Sequence, residues 1–239
     1  MEFETANYTD TGGRLYNEDC VRETYRKGAL LTVVADGLGG HGGGSRASAL
    51  AADEICQNWN GHANADEPGR LLKLAHRAVR GIQTPECAMK TTAVVLALEE
   101  NRAAWAHAGD SRLYHFHNGS LVFQTRDHSA SQVAVLLGEI TPDQIRFHED
   151  RSKILRALGQ EGEISIDSSY EELAPGSHAF LLCSDGFWEY VLESEMEKDL
   201  ERAANPGQWL VLMSARLRKK IPKDNDNNTA SAVWLWVHP

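Results

Sequence analysis

Hydrophobic and polar positions along the chain change period several times, and each change marks an element. Two short alternating runs, near Phe3 to Tyr8 and Val21 to Tyr25, predict strands on either side of the polar stretch TDTGGRLYNED. LTVVAD, residues 31–36, is an apolar, β-branched run that predicts a buried strand, and the glycine-rich turn GLGGHGGG follows it. Helical spacing then takes over from Ser45 to Trp59 and again from Pro68 to Gln83, with GHANADEPG as connector. TTAVVLALEE, RAAWAHAGDSRLYHFHNG and SLVFQT read as consecutive strands of an antiparallel meander, with Asn118-Gly119 as a hairpin turn. Asp127 to Gly138 reads as a helix, ITPDQI as the start of a short one, and ILRALG as a third helical piece stopped by Gly159. Strands return at EISIDSSYEEL and HAFLLCSDG. Helices follow at Ser194 to Ala204 and Gln208 to Lys220, and TASAVWLWVHP is the last strand. No internal repeat is evident. Strands at both ends with helices between them predict an α+β fold, two packed antiparallel sheets flanked by helices (α-β-β-α), rather than an alternating doubly wound sheet.

Length and charge narrow the classes of function. A chain of 239 residues is long enough for a sizeable core, and we expect one domain over 1–239. The formal net charge is -10 and the 24 Lys plus Arg are scattered, which argues against nucleic acid or an anionic membrane as partner. The start, MEFETANYTD, has neither a basic nor an apolar leader region, and no apolar run is long enough to span a bilayer, so a cytoplasmic protein is expected. Cys20, Cys56, Cys87 and Cys183 are far apart without a C-x-x-C pair and receive no role.

The candidate chemistry lies in the carboxylates. Asp36, Asp110 and Asp185 each follow an apolar run, Glu18-Asp19 precedes a strand, and Asp226 stands just before the final strand. Asp36-Gly37 and Asp185-Gly186 repeat one pattern, a strand ending in Asp-Gly, which also occurs in ordinary turns. As a set, these positions can converge at one edge of a sheet core. Clustered carboxylates repel one another unless a cation neutralises them, and oxygen-only ligation selects magnesium, manganese or calcium over zinc. Asp10, in a polar turn, and Asp53, inside a helix, are read as structural.

Two other motif readings fail on context. Gly37-x-Gly39-x-x-Gly42 satisfies the dinucleotide fingerprint, but Asp36 would set a negative charge beside the pyrophosphate and the later strands do not alternate with helices. DNDNNT at 224–229 opens like a calcium loop but lacks the glycine and the glutamate that such a loop requires.

Taken in order, the motifs resemble the metal-dependent protein phosphatases of the protein phosphatase 2C type, in their bacterial serine/threonine form. The residues that carry the resemblance are Gly12-x-Arg14-x-x-Asn17-Glu18-Asp19, then Ala35-Asp36-Gly37-Leu38-Gly39-Gly40-His41-x-x-Gly44-x-x-Ala47-Ser48, then Lys90-Thr91-Thr92-Ala93. Gly109-Asp110-Ser111-Arg112, Thr125-x-Asp127-His128-Ser129, Gly138-x-Ile140-Thr141 and His148-x-x-Arg151 with Leu155-Arg156-Ala157-Leu158-Gly159 continue it. Cys183-Ser184-Asp185-Gly186 and Asp226-Asn227-x-Thr229 complete it. The departures are Leu38 for the commoner methionine, Cys20 after the first motif, Lys90 where glycine is usual, Asn228 where an apolar residue is usual, and one residue fewer between Gly12 and Arg14. Asp224 offers a competing register for the last ligand; Asp226 is preferred because Thr229 follows it by three.

The resemblance implies a serine/threonine protein phosphatase with two core Mn2+ or Mg2+ ions. Asp36 would bridge them, with the Gly37 carbonyl and the Glu18-Asp19 pair on one ion and Asp185 with Asp226 on the other; Glu18 and Asp19 are alternatives for direct ligation. A water activated between the two metals would attack phosphorus. Asp110 with Asp185 matches a third, weaker metal site. Arg14 would hold the phosphate oxygens, and His41 is the candidate general acid. His107 and His128 are read as structural. Residues 128 to 150 resemble a flap beside the active site. The implied partners are phosphoserine and phosphothreonine proteins and a cognate bacterial serine/threonine kinase or its substrates, with a role in type VI secretion control among the possible pathways and a monomer as the expected state. A catalytically silent regulatory or scaffold domain on the same fold is the alternative.

Overall fold

The computed structural model describes residues 2–39 and 43–239. Eleven strands among these residues form two sheets whose named pairings are all antiparallel. The first sheet has the order β1(Glu4–Asp10), β11(Asn228–Val237), β10(Gly176–Cys183), β7(Arg112–His117), β8(Ser120–Gln124). The second runs β2(Asp19–Arg26), β3(Ala29–Leu38), β5(Ala93–Glu99), β6(Arg102–Ala108), β9(Asp167–Glu172), with the two-residue β4(Lys90–Thr91) paired to the end of β3.

The apolar run of β3 is explained by burial on both faces. Leu31, Val33 and Ala35 pack under the helices α1(Gly43–Asn58) and α2(Glu67–Gly81), whereas Leu30 and Val34 point between the sheets against Leu182 and Val233. Thr32 lies on that inner face too, where its hydroxyl meets Ser231 Oγ at 2.8 Å. On the far side α4(Asp185–Trp188), α5(Glu193–Arg202) and α6(Pro206–Lys220) cover the first sheet through Trp188, Met196, Trp209 and Met213. Helices, sheet, sheet, helices is therefore the layer order, as expected from the sequence.

Three local expectations are corrected. The run from Thr91 to Gln124 is not one meander. β5–β6 and β7–β8 are hairpins in different sheets, and the chain crosses between them at Gly109. Gly109 has φ +106°, and a Cβ there would lie 2.6 Å from Thr92, so the crossing requires glycine. Residues 154–159 are not helical: Leu158 exchanges backbone hydrogen bonds with Thr91, and Ile154 bridges Ser129, so this backbone is satisfied across the chain instead of along it. The strand expected from Glu163 begins only at Asp167. Between β8 and β9, α3(Ala130–Leu136) starts at Ser129, whose side chain accepts the Gln132 N–H, and Pro142–Phe147 forms a 3₁₀ helix. Among the described residues no helix is long and apolar enough to cross a membrane, and all four cysteines are free.

Candidate metal and phosphate site

The strand ends that carry carboxylates meet at one end of the sandwich. Register sets Asp19 opposite Asp36 across β2 and β3. β10 pairs with β11 so that Cys183 faces Ala230, which brings Asp185, just past β10, beside Asp226, just before β11. Glu18, Asp36, Gly37, Asp185 and Asp226 line a cleft of about 1020 Å3, together with Arg14. Asp19 is more deeply placed and its Oδ2 accepts a hydrogen bond from Ser184 Oγ at 2.7 Å. Asp110, 2% exposed at the sheet crossing, completes the cluster, and its Oδ1 is buried without a partner among the described residues.

These groups disturb one another strongly. Burial, followed by the charges of Asp19, Asp185, Asp110 and Asp226, pushes Asp36 well above the ordinary carboxylate range. Asp185 is raised likewise by burial and then by Asp110 and Glu189. Burial pushes Asp19 up to about 6, with Asp226 and Glu18 adding to it against the Ser184 hydrogen bond. Asp110 rises to about 7, through burial and then Asp127. Among the described residues the cation lining the cleft is Arg14, whose Nη2 donates to Asp226 Oδ2 at 2.8 Å with both side chains about half exposed, too solvated to offset the cluster. An all-oxygen set of this charge, with an orphaned buried carboxylate oxygen, fits hard divalent cations.

The backbone around the cleft is held by residues that the sequence motifs contain but to which no role was assigned. Asn227 accepts the Glu18 N–H at 2.8 Å and donates to the carbonyls of Thr11 and Tyr16, which fixes the loop bearing Arg14. Thr91 Oγ1 and the Thr92 N–H both donate to the Asp36 carbonyl at 2.8 Å. Gly186 allows α4 to start against Asn227: a Cβ there would sit 2.1 Å from the Asn227 carbonyl oxygen. Both Asn227 and Ser184 lie within motifs already noted, flanking a candidate ligand, and that adjacency was their signal. Arg112 and Asp127 also lie within noted motifs, but that they form a bidentate pair, buried and stacked on Trp188, carried no signal, because they are 15 residues apart and meet only in the folded chain.

Asp226 reaches the cleft, and Asp224 does not line it. His41 lies outside the described residues. Asp10 caps its own turn by accepting the Gly12 N–H, and Asp53 pairs with Arg22 on the outside of α1. His107, His128 and Asp167 offer ligand atoms within 4.8 Å of one another. Their hydrogen bonds oppose a metal there. His128 Nδ1 accepts the Gly109 N–H, so Nε2 carries the proton toward Asp167 at 3.2 Å, and the Arg156 guanidinium already sits on Asp167.

An α-β-β-α sandwich with a carboxylate-lined, cation-seeking cleft at one end defines the class. The family model described as protein phosphatase 2C matches residues 13–223, and the chain belongs to this family as a bacterial serine/threonine phosphatase. Protein phosphatase PhpP of Streptococcus pneumoniae is 30% identical over 210 residues, covering 81% of this chain and 82% of that protein. Among solved structures, the catalytic domain of the serine/threonine protein phosphatase PstP, in complex with two manganese ions, superposes with a TM-score of 0.79 at 28% identity, covering 98% of each chain. PppA of Pseudomonas aeruginosa, described as a key regulatory component of T6SS, superposes at 0.78 and 28% identity, covering 98% of this chain and 97% of that one.

Proposed function

We propose that this chain hydrolyses phosphoserine and phosphothreonine on proteins, with two Mn2+ or Mg2+ ions held at the carboxylate cleft. The observation that carries the reading is the convergence of Glu18, Asp36, Asp185 and Asp226 on one cleft, with Asp19 and Asp110 buried against them. Asp36 and the Gly37 carbonyl, with Glu18 or Asp19, would hold one ion and Asp185 with Asp226 the other, while Asp110 with Asp185 would hold a third, weaker one. Bound there, such ions supply Lewis-acid neutralisation of phosphate charge and an acidified water. Arg14 stands at the cleft mouth and would exchange Asp226 for phosphate oxygens, which its planar guanidinium can grip in a fork. The manganese-bound PstP domain supports the choice of metal. His41 is kept as the candidate general acid on its place in the loop after Asp36.

The test is release of phosphate from a phosphothreonine peptide with and without Mn2+, for wild type and Asp185→Asn. Metal-dependent hydrolysis lost by at least about 100-fold in the variant is expected, in line with removal of a transition-state charge contact. Folded protein that binds Mn2+ without hydrolysis would instead leave the scaffold reading. We further infer a single cytoplasmic, monomeric domain over 1–239 with a flap at about 128–150, opposing a bacterial serine/threonine kinase. The PppA likeness supports a place in type VI secretion control. In a deletion strain, complementation by wild type but not by Asp185→Asn should lower phosphothreonine on the kinase's substrates; equal levels in both strains would sink the pathway reading.

A further inference from the structure

A second, smaller cleft of about 340 Å3 opens beside the carboxylate cleft and shares Leu38, Ser152 and Ile154 with it. It has the opposite electrostatic character. Lys90 and Arg156 line it and no carboxylate does, which stands out in a chain of net charge -10. Lys90 occupies β4, directly across from Leu38 in the register with β3, so its backbone is fixed by the strand that carries Asp36 and Gly37. β4 is clamped from its other side by the two Thr91–Leu158 backbone hydrogen bonds. The Lys90 side chain is exposed and makes no hydrogen bond or ion pair among the described residues. Arg156 differs: its Nη1 is held by Asp167 Oδ1 at 3.0 Å. An ammonium on a fixed backbone, without a partner among the described residues and at the edge of an acidic cleft, is suited to an anionic group that arrives with the substrate.

We propose that Lys90 and the cleft it lines form a specificity subsite that takes an anionic side chain, a carboxylate or a second phosphoryl group, close in sequence to the phosphoserine or phosphothreonine being hydrolysed. This rests on the phosphatase reading of the adjoining cleft. The physical reason is charge balance: a phosphopeptide approaching a cluster of carboxylates is repelled, and a cation on the rim offsets that repulsion selectively for peptides with flanking negative charge. Because the two clefts share a wall, and an extended chain advances about 3.3–3.6 Å per residue, the flanking anion should lie within a few residues of the phosphorylated one. The preference belongs to the side chain of Lys90, since a glycine at that position would leave the subsite without its free cation.

The experiment compares kcat/KM for phosphothreonine peptides that differ at one flanking position, scanned from three residues before to three after, bearing glutamate, phosphoserine, alanine or lysine. Each variant's acidic-to-neutral ratio is its own internal reference. Wild type should favour the best glutamate peptide over its alanine counterpart by about five-fold, the size of one partly solvated ion pair, and the preference should shrink in 0.5 M NaCl. Lys90→Arg should keep the ratio, Lys90→Ala should bring it to about one, and Lys90→Glu should invert it toward the lysine peptide. The phosphoserine arm separates the two anion sources: a larger ratio than glutamate assigns a phosphoryl subsite, and an equal or smaller one assigns a carboxylate subsite. Fluorescence anisotropy of the same peptides carrying a non-hydrolysable phosphonate reads the order by binding alone. Hydrolysis of all peptides with no acidic preference, or a preference unchanged in Lys90→Ala, overturns the subsite and leaves the phosphatase reading intact. Absence of hydrolysis with Mn2+ overturns the phosphatase reading, and the anisotropy ratio still decides on Lys90.

Discussion

Single side chains in this protein are poised by what their hydrogen bonds leave open. His115 is 1% exposed between the sheets; its Nε2 lies 2.9 Å from His178 Nδ1, and His178 Nε2 lies 2.7 Å from the Ala174 carbonyl. The carbonyl can only accept, so His178 donates from Nε2 and accepts from His115, leaving His115 Nδ1 without a hydrogen bond, 3.4 Å from the half-exposed Glu171 carboxylate. Burial and then the neighbouring His178 and His117 push His115 down to about 3, so the folded state keeps it neutral. The unfolded chain takes up that proton below about 6.5, so stability from this group is complete above 6.5 and drains away as the pH falls toward 3. The slope approaches about 1.4 kcal/mol per pH unit. Urea unfolding at pH 7 and pH 5 should show this loss, and His115→Phe, which keeps the stack on Phe180, should remove about one proton from the slope. An identical slope in the variant would place the acid sensitivity elsewhere. Lys90 and Arg14 show the complementary case, cations at the surface: Arg14 is paired with a half-exposed Asp226, and the Lys90 side chain has no partner among the described residues.

At the scale of elements, the joints between strands and the short helices hold the site together. Arg112, at the start of β7, makes a bidentate pair with Asp127 just before α3, with both side chains 2% exposed. The same guanidinium carbon lies 3.4 Å from the centroid of Trp188 in α4, and Trp188 Nε1 donates to the Asp110 carbonyl at 2.9 Å. The site end of α4, the sheet crossing and the segment leading to α3 are thus one packed unit. Asp127→Ala strands a buried guanidinium and should cost about 3–5 kcal/mol in urea unfolding. The double variant Asp127→Leu with Arg112→Leu should recover much of that loss, because replacing a buried pair by apolar groups of similar volume is often neutral. A single variant within about 1 kcal/mol of wild type would show that the pair is not the clamp. Arg151, which donates to Glu189 Oε1 at 2.9 Å, makes a second link from the segment after the 3₁₀ helix to the residue following α4.

For the whole molecule, the carboxylates come from both sheets: Glu18, Asp19 and Asp36 from the β2–β3 edge, Asp185 and Asp226 from the ends of β10 and β11. Without counter-ions their repulsion works to part the two layers at that end. Cations binding the folded state alone stabilise it by about 2.7 kcal/mol at 100 times the dissociation constant. For a chain of this size that is a rise in Tm of about 5–10 °C. Differential scanning calorimetry with saturating Mn2+ and then EDTA should show the rise and its reversal, and Asp185→Asn should raise the metal-free Tm while reducing the Mn2+ effect. A Tm indifferent to Mn2+ and EDTA would remove the metal site from the fold's energetics.

Much of this was legible in the sequence because it is local. The LTVVAD run, the Asp-Gly strand ends and the helical spacing of α1, α2, α5 and α6 follow from side-chain periodicity and turn chemistry, which need no partner to be read. The ordered motifs around Arg14, Asp36, Asp185 and Asp226 single out residues that line one cleft in the fold. What required the tertiary structure is what depends on contacts between distant segments. The sheet crossing at Gly109 broke the expected meander. Residues 154–159 exchanged helical bonds for bridges to Thr91 and Ser129. Arg112 found Asp127, and Lys90 was set free on the rim of a cleft. Periodicity reports which face of an element is buried; which element buries it, and which charges meet as a result, is decided by packing in three dimensions.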